Sequence, residues 1–359
     1  MLANLLTSIL TAYLSLTMAT ADRILAWMDT PSADVPSMAS IAPIPLPSEY
    51  NTSDGIPQIL IDNARYQSAA LIDSRGDSSF YTTDPKEALV NVYCTYTNDN
   101  SIRTTTGTGF FVHPDGVVLT NAHVAQFLLL ETVTDRGTTE CVIRSGNPAT
   151  PRYLASLLYI PPAWIQSNAA SLMDEAPTGT GERDYALLHT YASVDRTPMP
   201  AQFPALAVDT SLLTRNTINQ AVSAAGYPIA DSNRDRSLST LYPAHATTSI
   251  SNLYTFGTNL ADVMSLRGSV VGMQGSSGGP ILNEAGQVIG LITTRGDDRA
   301  DGAGSLRAIS LSYIDRTIAQ ETGFSFGRNI SGNIPLRAQI FTDTLQPFLT
   351  RMLERELSN

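Results

Sequence analysis

The sequence predicts an all-β fold built as two successive sets of six short strands, with a hydrophobic helix ahead of them and helices behind. Two observations lead there. Apolar runs are short and bounded by turn-forming residues, as strands require. A stretch containing Pro198, Pro200 and Pro204 then divides these runs into six before it and six after it. With 43% hydrophobic residues among 359, the chain has material for two such units plus extensions.

Taken in order, Leu2 to Ala21 carries no charge and is about long enough to cross a bilayer as a helix. Ala19-Thr20-Ala21 fits a secretory cleavage site although a basic n-region is missing. Residues 1–29 are therefore expected to be a signal peptide or membrane anchor, the alternative being an amphipathic helix packed on the domain or on a membrane surface. Residues 30–58, interrupted by Pro31, Pro36, Pro43, Pro45, Pro47 and Pro57, read as an extended linker. Residues 59–84 form an extension whose Leu60, Ala64, Tyr66, Ala70 and Leu71 fall at helical spacing up to Ile72. The first unit, residues 85–200, has strands expected at Ala88–Tyr96, Thr108–Val112, Gly116–Ala122, Glu140–Ser145, Leu154–Ile160 and Tyr185–Thr190. Tyr191 to Leu206 reads as the connection. The second unit, residues 201–322, has strands expected at Ala221–Gly226, Ala246–Phe256, Asp262–Leu266, Pro280–Asn283, Val288–Thr294 and Ser305–Ser310, then a closing helix over Ile314–Glu321. Residues 323–359 form a helical tail whose Ile340, Leu345, Phe348, Leu349 and Leu353 are spaced to dock on a barrel or on another chain.

Chemistry gathers around Gly275-Ser276-Ser277-Gly278-Gly279-Pro280. Ser277 is the candidate nucleophile, and a serine hydroxyl needs a base to take its proton and a third group to orient that base. The glycines let the N–H groups of Gly275 and Ser277 point at one spot, where an oxyanion would form. Among four histidines, His123 in Leu119-Thr120-Asn121-Ala122-His123-Val124 sits where an apolar strand gives way to a turn. His113, His189 and His245 read as structural or surface residues. Asp184, at the mouth of the strand Tyr185-Ala186-Leu187-Leu188, is the candidate orienting acid.

The order His, Asp, Ser sorts the folds that share this chemistry. Gly275-Ser276-Ser277-Gly278-Gly279 also fits a G-x-S-x-G elbow, but that architecture needs a histidine after the serine, and none follows Ser277. A subtilisin-like order would use Asp115, which lies in the turn His113-Pro114-Asp115-Gly116 and reads as a hairpin residue. The chymotrypsin order remains. With Gly107-Thr108-Gly109-Phe110-Phe111, Gly226-Tyr227-Pro228 and Gly286-Gln287-Val288-Ile289-Gly290-Leu291 in register with these motifs, the chain over about residues 85–320 resembles trypsin-like serine proteases of the HtrA-related bacterial type.

That resemblance implies two six-stranded antiparallel β-barrels of chymotrypsin/trypsin type with a site in the cleft between them, and peptide-bond hydrolysis through an acyl-enzyme. It makes the strands of Cys94 and Cys141 neighbours, so a disulfide is one outcome and two buried free thiols the other. It also assigns the pocket before the scissile bond to Val271, Gly272 and the strand Thr293-Thr294-Arg295, together with residues near Leu306 to Ala308. The lack of a carboxylate at Val271 favours a small or medium apolar side chain, with Arg295 and Arg307 leaving an acidic one open. The chain departs from the family's digestive branch in having Ser276 where an acid would pair with a freed N-terminus. The residues beyond Ser310 are too few for a PDZ domain. A net charge of -11 argues against a nucleic-acid partner. Two cysteines and scattered histidines form no zinc spacing, and no cofactor or metal is expected. The expectation is thus an extracytoplasmic serine endopeptidase acting on proteins or peptides, secreted or anchored through its N-terminus, the alternative being a silent protease-fold binding or adhesion module.

Overall fold

Both sets of six strands close on themselves into barrels. The computed structural model describes residues 58–72, 80–98, 102–133, 137–172, 180–229, 240–257, 259–267, 274–295 and 306–356. A short strand β1 (Tyr81–Thr82) precedes the first barrel, which comprises β2 (Leu89–Thr97), β3 (Ile102–His113), β4 (Val117–Thr120), β5 (Thr138–Ser145), β6 (Thr150–Tyr159) and β7 (Ala186–Ser193). Its strands pair antiparallel in the order β2-β3-β4-β7-β6-β5, with β5 returning to β2. The β3–β4 hairpin is made by the expected Pro114-Asp115-Gly116 turn, where Gly116 takes φ +82° and donates its N–H to the His113 carbonyl at 3.1 Å.

The second barrel comprises β9 (Ala221–Gly226), β10 (Ala244–Tyr254), β11 (Val263–Leu266), β12 (Pro280–Leu282), β13 (Val288–Arg295) and β14 (Leu306–Ser310), in the order β10-β11-β14-β13-β12-β9. Every expected strand is present within a few residues of its bounds, except that β3 begins six residues earlier than Thr108. The connection is less irregular than its prolines suggest. β7 runs on to Ser193, and β8 (Ala205–Leu206) pairs parallel with β1. Between them Phe203 stacks on Phe111 with ring centroids 4.4 Å apart.

The helical extensions differ from expectation in an instructive way. The expected helix from Ile59 to Ile72 breaks into α1 (Gln58–Ile61) and α2 (Ala64–Leu71), because Asn63 caps the second piece by accepting the N–H groups of Arg65 and Tyr66 at 3.1 and 3.0 Å. Helix α3 (Pro85–Ala88) leads into β2, and two single-turn to two-turn helices, α4 (Ala122–Ala125) and α5 (Pro162–Asn168), sit between first-barrel strands. The closing helix α6 (Leu311–Thr322) starts at the Ser310 cap and ends at Gly323 with φ +81°. It is followed by α7 (Phe326–Asn329), α8 (Ile334–Thr344) and α9 (Gln346–Glu356). The tail's amphipathic stretch is interrupted at Leu345, since Pro347 fits only the first turn of a new helix. Its apolar residues Phe341, Leu345, Leu349 and Leu353 are buried, and the Thr350 hydroxyl donates to the Leu129 carbonyl at 2.9 Å, so the tail docks on the first barrel.

One hydrophobic core therefore runs through the first barrel, both helical extensions and part of the second barrel, and a smaller one fills the rest of the second barrel. Cys94 and Cys141 stand opposite one another on β2 and β5, and their sulfurs are bonded. No helix among the described residues is long and apolar enough to cross a membrane. The expected signal or anchor at residues 1–29 and the linker up to Pro57 lie outside the described residues.

Candidate active site

His123 rides on α4, the single helical turn that follows β4 directly. Buried Asn121, at the start of that turn, gives its side-chain N–H to the Asp184 carbonyl at 2.8 Å instead of capping the helix. Asp184 lies just before β7, after a turn in which Gly181 and Arg183 both take positive φ (+81° and +55°). Asp184 is only 4% exposed, and its carboxylate grips His123 twice. Oδ1 accepts the His123 backbone N–H at 3.0 Å, and Oδ2 lies 2.8 Å from the ring Nδ1. Burial opposes a charged imidazole, but the negative charge of Asp184 and its hydrogen bond outweigh that and hold the His123 pKa above its ordinary 6.5.

Ser277 belongs to the loop that enters β12 of the other barrel. The conformation of this loop depends on glycine at two places. Gly275 (φ +89°) and Gly278 (φ +86°) occupy left-handed backbone, and a Cβ on Gly278 would fall 2.0 Å from the Thr108 carbonyl oxygen. Thr108, fully buried on β3, fastens the loop to the first barrel. Its N–H donates to the Ser277 carbonyl at 2.7 Å, and its hydroxyl donates to the Gly275 carbonyl at 2.7 Å while accepting the Tyr227 N–H at 2.9 Å. Thr120, three residues before His123, donates its hydroxyl to the Thr108 carbonyl at 2.7 Å. The two barrels are thereby tied together beside the site.

The amides of the loop are oriented as well. The Gln274 carbonyl is held by the Ile229 N–H at 2.7 Å, which fixes the peptide that carries the Gly275 N–H. Among the described residues, no acceptor takes the N–H of Gly275 or of Ser277. The Ser277 hydroxyl donates to the Thr293 carbonyl at 3.4 Å, a weak contact. The Ser276 hydroxyl is buried at 1% exposure without a partner among the described residues.

A family model described as a trypsin-like peptidase domain matches residues 107–291, more than half of the chain. The chain belongs to the trypsin-like peptidase domain family. No curated protein matches it. Among solved structures, the crystal structure of Deg5 is similar at TM-score 0.41 and 17% identity, covering 64% of this chain and 87% of that one. A serine-to-alanine mutant of Rv3671c from M. tuberculosis H37Rv in its inactive form is similar at TM-score 0.39 and 17% identity, covering 70% of this chain and 96% of that one.

Within this trypsin-like peptidase domain the remaining expected residues fall as follows. Thr293, Thr294 and Arg295 end β13, where Thr294 and Arg295 pair with Arg307 and Leu306 of β14. β12 stops pairing with β13 at Leu291, so Thr293–Arg295 keep one edge free of any described strand. Val271 and Gly272 lie outside the described residues. His113 is buried in its turn, where its Nδ1 accepts the Asp115 N–H at 3.2 Å, and burial lowers its pKa against the pull of Asp115. Among the described residues no group of three His, Cys, Asp or Glu could hold a metal ion. Thr108 and Thr120 were visible in the sequence only as parts of motifs. The clamping role of Thr108 depends on partners more than 100 residues away, which no local pattern encodes, and Thr120 acts through Thr108.

Proposed function

We propose that the chain is an active serine endopeptidase that cleaves proteins or peptides through an acyl-enzyme. In this reading Ser277 Oγ attacks the scissile carbonyl carbon while His123 Nε2 takes its proton. The tetrahedral oxyanion is stabilised by the N–H groups of Gly275 and Ser277, each such donor being worth about 100- to 1000-fold in rate. The intermediate collapses as His123 returns the proton to the leaving amine, and water then hydrolyses the acyl-enzyme with His123 again as base. Asp184 keeps the imidazole in the tautomer that leaves Nε2 free to accept, and it stabilises the imidazolium that forms. The observation that carries the reading is the double grip of buried Asp184 on His123, at 3.0 and 2.8 Å. Oδ1 satisfies a first-turn N–H of α4, and Oδ2 is given to the ring.

The free edge at Thr293–Arg295 supports recognition of the substrate backbone as an added strand. A small or medium apolar side chain before the scissile bond is the proposed preference. The disulfide supports an extracytoplasmic location, with residues 1–29 as signal or anchor.

A silent binding module is favoured by one observation, the Ser277 hydroxyl hydrogen-bonded to Thr293 rather than to His123. The enzyme reading requires that hydrogen bond to pass to His123 Nε2, as catalytic contacts in empty sites commonly do on binding substrate. A fluorophosphonate probe separates the two. Labelling of purified protein at Ser277, lost in Ser277→Ala and in His123→Ala, is expected. A folded protein that takes no label with or without added peptide would sink the enzyme.

A further inference from the structure

The residues on either side of Asp184 are held by a helix that comes from the opposite barrel. Helix α6 leaves β14 of the second barrel with its first turn fastened there. The Ser310 hydroxyl donates to the Ala261 carbonyl at 2.9 Å, and Arg316 pairs with buried Asp262. Asp262 also accepts the Phe256 N–H at 2.8 Å and the Thr255 hydroxyl at 3.0 Å. The helix then passes to the first barrel and presents Tyr313, Thr317 and Glu321, spaced one turn apart on a single face, to the segment Arg183–Tyr185.

Each of the three makes a contact there. The Tyr313 hydroxyl accepts the Arg183 N–H at 3.2 Å. The Thr317 and Tyr185 hydroxyls lie 2.9 Å apart. Glu321, 4% exposed, takes the Arg183 guanidinium on Oε1 and the Tyr159 hydroxyl on Oε2. Arg183 itself has φ +55°, a left-handed conformation that a non-glycine residue keeps only where its surroundings over-determine it. That conformation aims the next residue, Asp184. A carboxylate already committed to two donors on His123 cannot follow a displaced backbone.

We propose that Glu321 is a positioning residue which, through Arg183, sets Asp184 on His123, and that α6 is the strut carrying the geometry of the second barrel to the acid. The inference rests on the reading of Asp184 as the orienting acid. It adds a residue outside the stretch that matches the family model, which ends at residue 291.

The test uses the full-length chain and a fluorophosphonate, measuring the maximal inactivation rate and the probe's affinity separately, across pH. Wild-type reaction at Ser277 is required first; its absence would sink the triad reading itself and with it this inference. Given that reaction, Glu321→Gln, Arg183→Asn and Tyr313→Phe are compared. Asparagine tolerates left-handed backbone but lacks the guanidinium. The expected result is a loss of about 10- to 100-fold in the maximal rate, with probe affinity within about twofold, because small misplacements of a catalytic group cost rate rather than binding. The pH midpoint should fall toward the ordinary histidine value as the Asp184 contact loosens, and Arg183→Lys should recover part of the rate. Folded variants that react at the wild-type rate with the wild-type midpoint would overturn the proposal. Should Glu321→Gln or Arg183→Asn fail to fold, Tyr313→Phe, which removes a single hydroxyl, decides by the same criteria.

Discussion

The imidazole of His123 is paired with the Asp184 carboxylate, and that pairing ties stability to pH and, in the proposed reaction, rate as well. Its folded pKa lies above 6.5, and the base in the proposed reaction is the neutral ring. Activity is therefore expected to be low at acid pH and to rise through a limb centred above 6.5, as a pH–rate profile of fluorophosphonate labelling would read. The stability contribution runs the other way. It is full below about 6.5, where the folded and unfolded states are both protonated, and is lost as pH rises through the higher folded pKa. Asp184→Asn should cost about 10⁴-fold in rate, since an amide favours the wrong tautomer. A variant with near wild-type labelling would remove Asp184 from the mechanism. Gly278→Ala tests the loop at the same scale. The added methyl would meet the Thr108 carbonyl in a backbone region that alanine avoids, so a loss of more than about 2 kcal/mol in urea unfolding is expected together with loss of labelling.

At the scale of elements, the helices are braces rather than appendages. Arg337 on α8 is completely buried and has its guanidinium shared among the carbonyls of Arg328, Asn329 and Ser331, the Asn329 side chain and the Tyr66 hydroxyl. It stacks over the Tyr66 ring at 4.7 Å and so locks the N-terminal helix α2 to the C-terminal α7 and α8. Arg337→Met retains much of the volume but strands several buried acceptors, each worth about 1–3 kcal/mol. A loss of about 3–5 kcal/mol is expected, read as a lower urea midpoint at unchanged slope. An unchanged midpoint would mean that water replaces the guanidinium. The strands were legible because alternation and turn residues act locally. The break at Asn63, the break before Pro347 and the small β1–β8 pair were not read, because each is decided by a cap or a partner rather than by periodicity.

For the molecule as a whole, the disulfide cross-links β2 and β5 across a sequence separation of 47, closing the seam of the first barrel. Chain-entropy reasoning assigns such a loop about 4 kcal/mol of stabilisation. Cys94→Ala with Cys141→Ala should lower stability by about that amount, and alkylation of unreduced, denatured wild type should label neither cysteine. Labelling of both would reject the bond and remove one support for an extracytoplasmic location. The first barrel shares its core with the helical extensions and with part of the second barrel, so truncation after Ser310, which removes the strut together with Phe341 and Leu349, is expected to expose the first-barrel core they cover.

By itself the sequence determined the barrel strands and the two-unit organisation, and it singled out His123, Asp184 and Ser277 as candidates. Apolar alternation, turn chemistry and the order of reactive residues are properties of neighbouring positions. Only the tertiary structure decided what holds those residues in place. Thr108 clamps a loop from the other barrel, Glu321 reaches Arg183 from the closing helix, and Arg337 joins α2 to α7. These contacts join residues far apart in the chain or on separate elements, and nothing in a local pattern distinguishes a threonine, a glutamate or an arginine that will be buried from one that faces water.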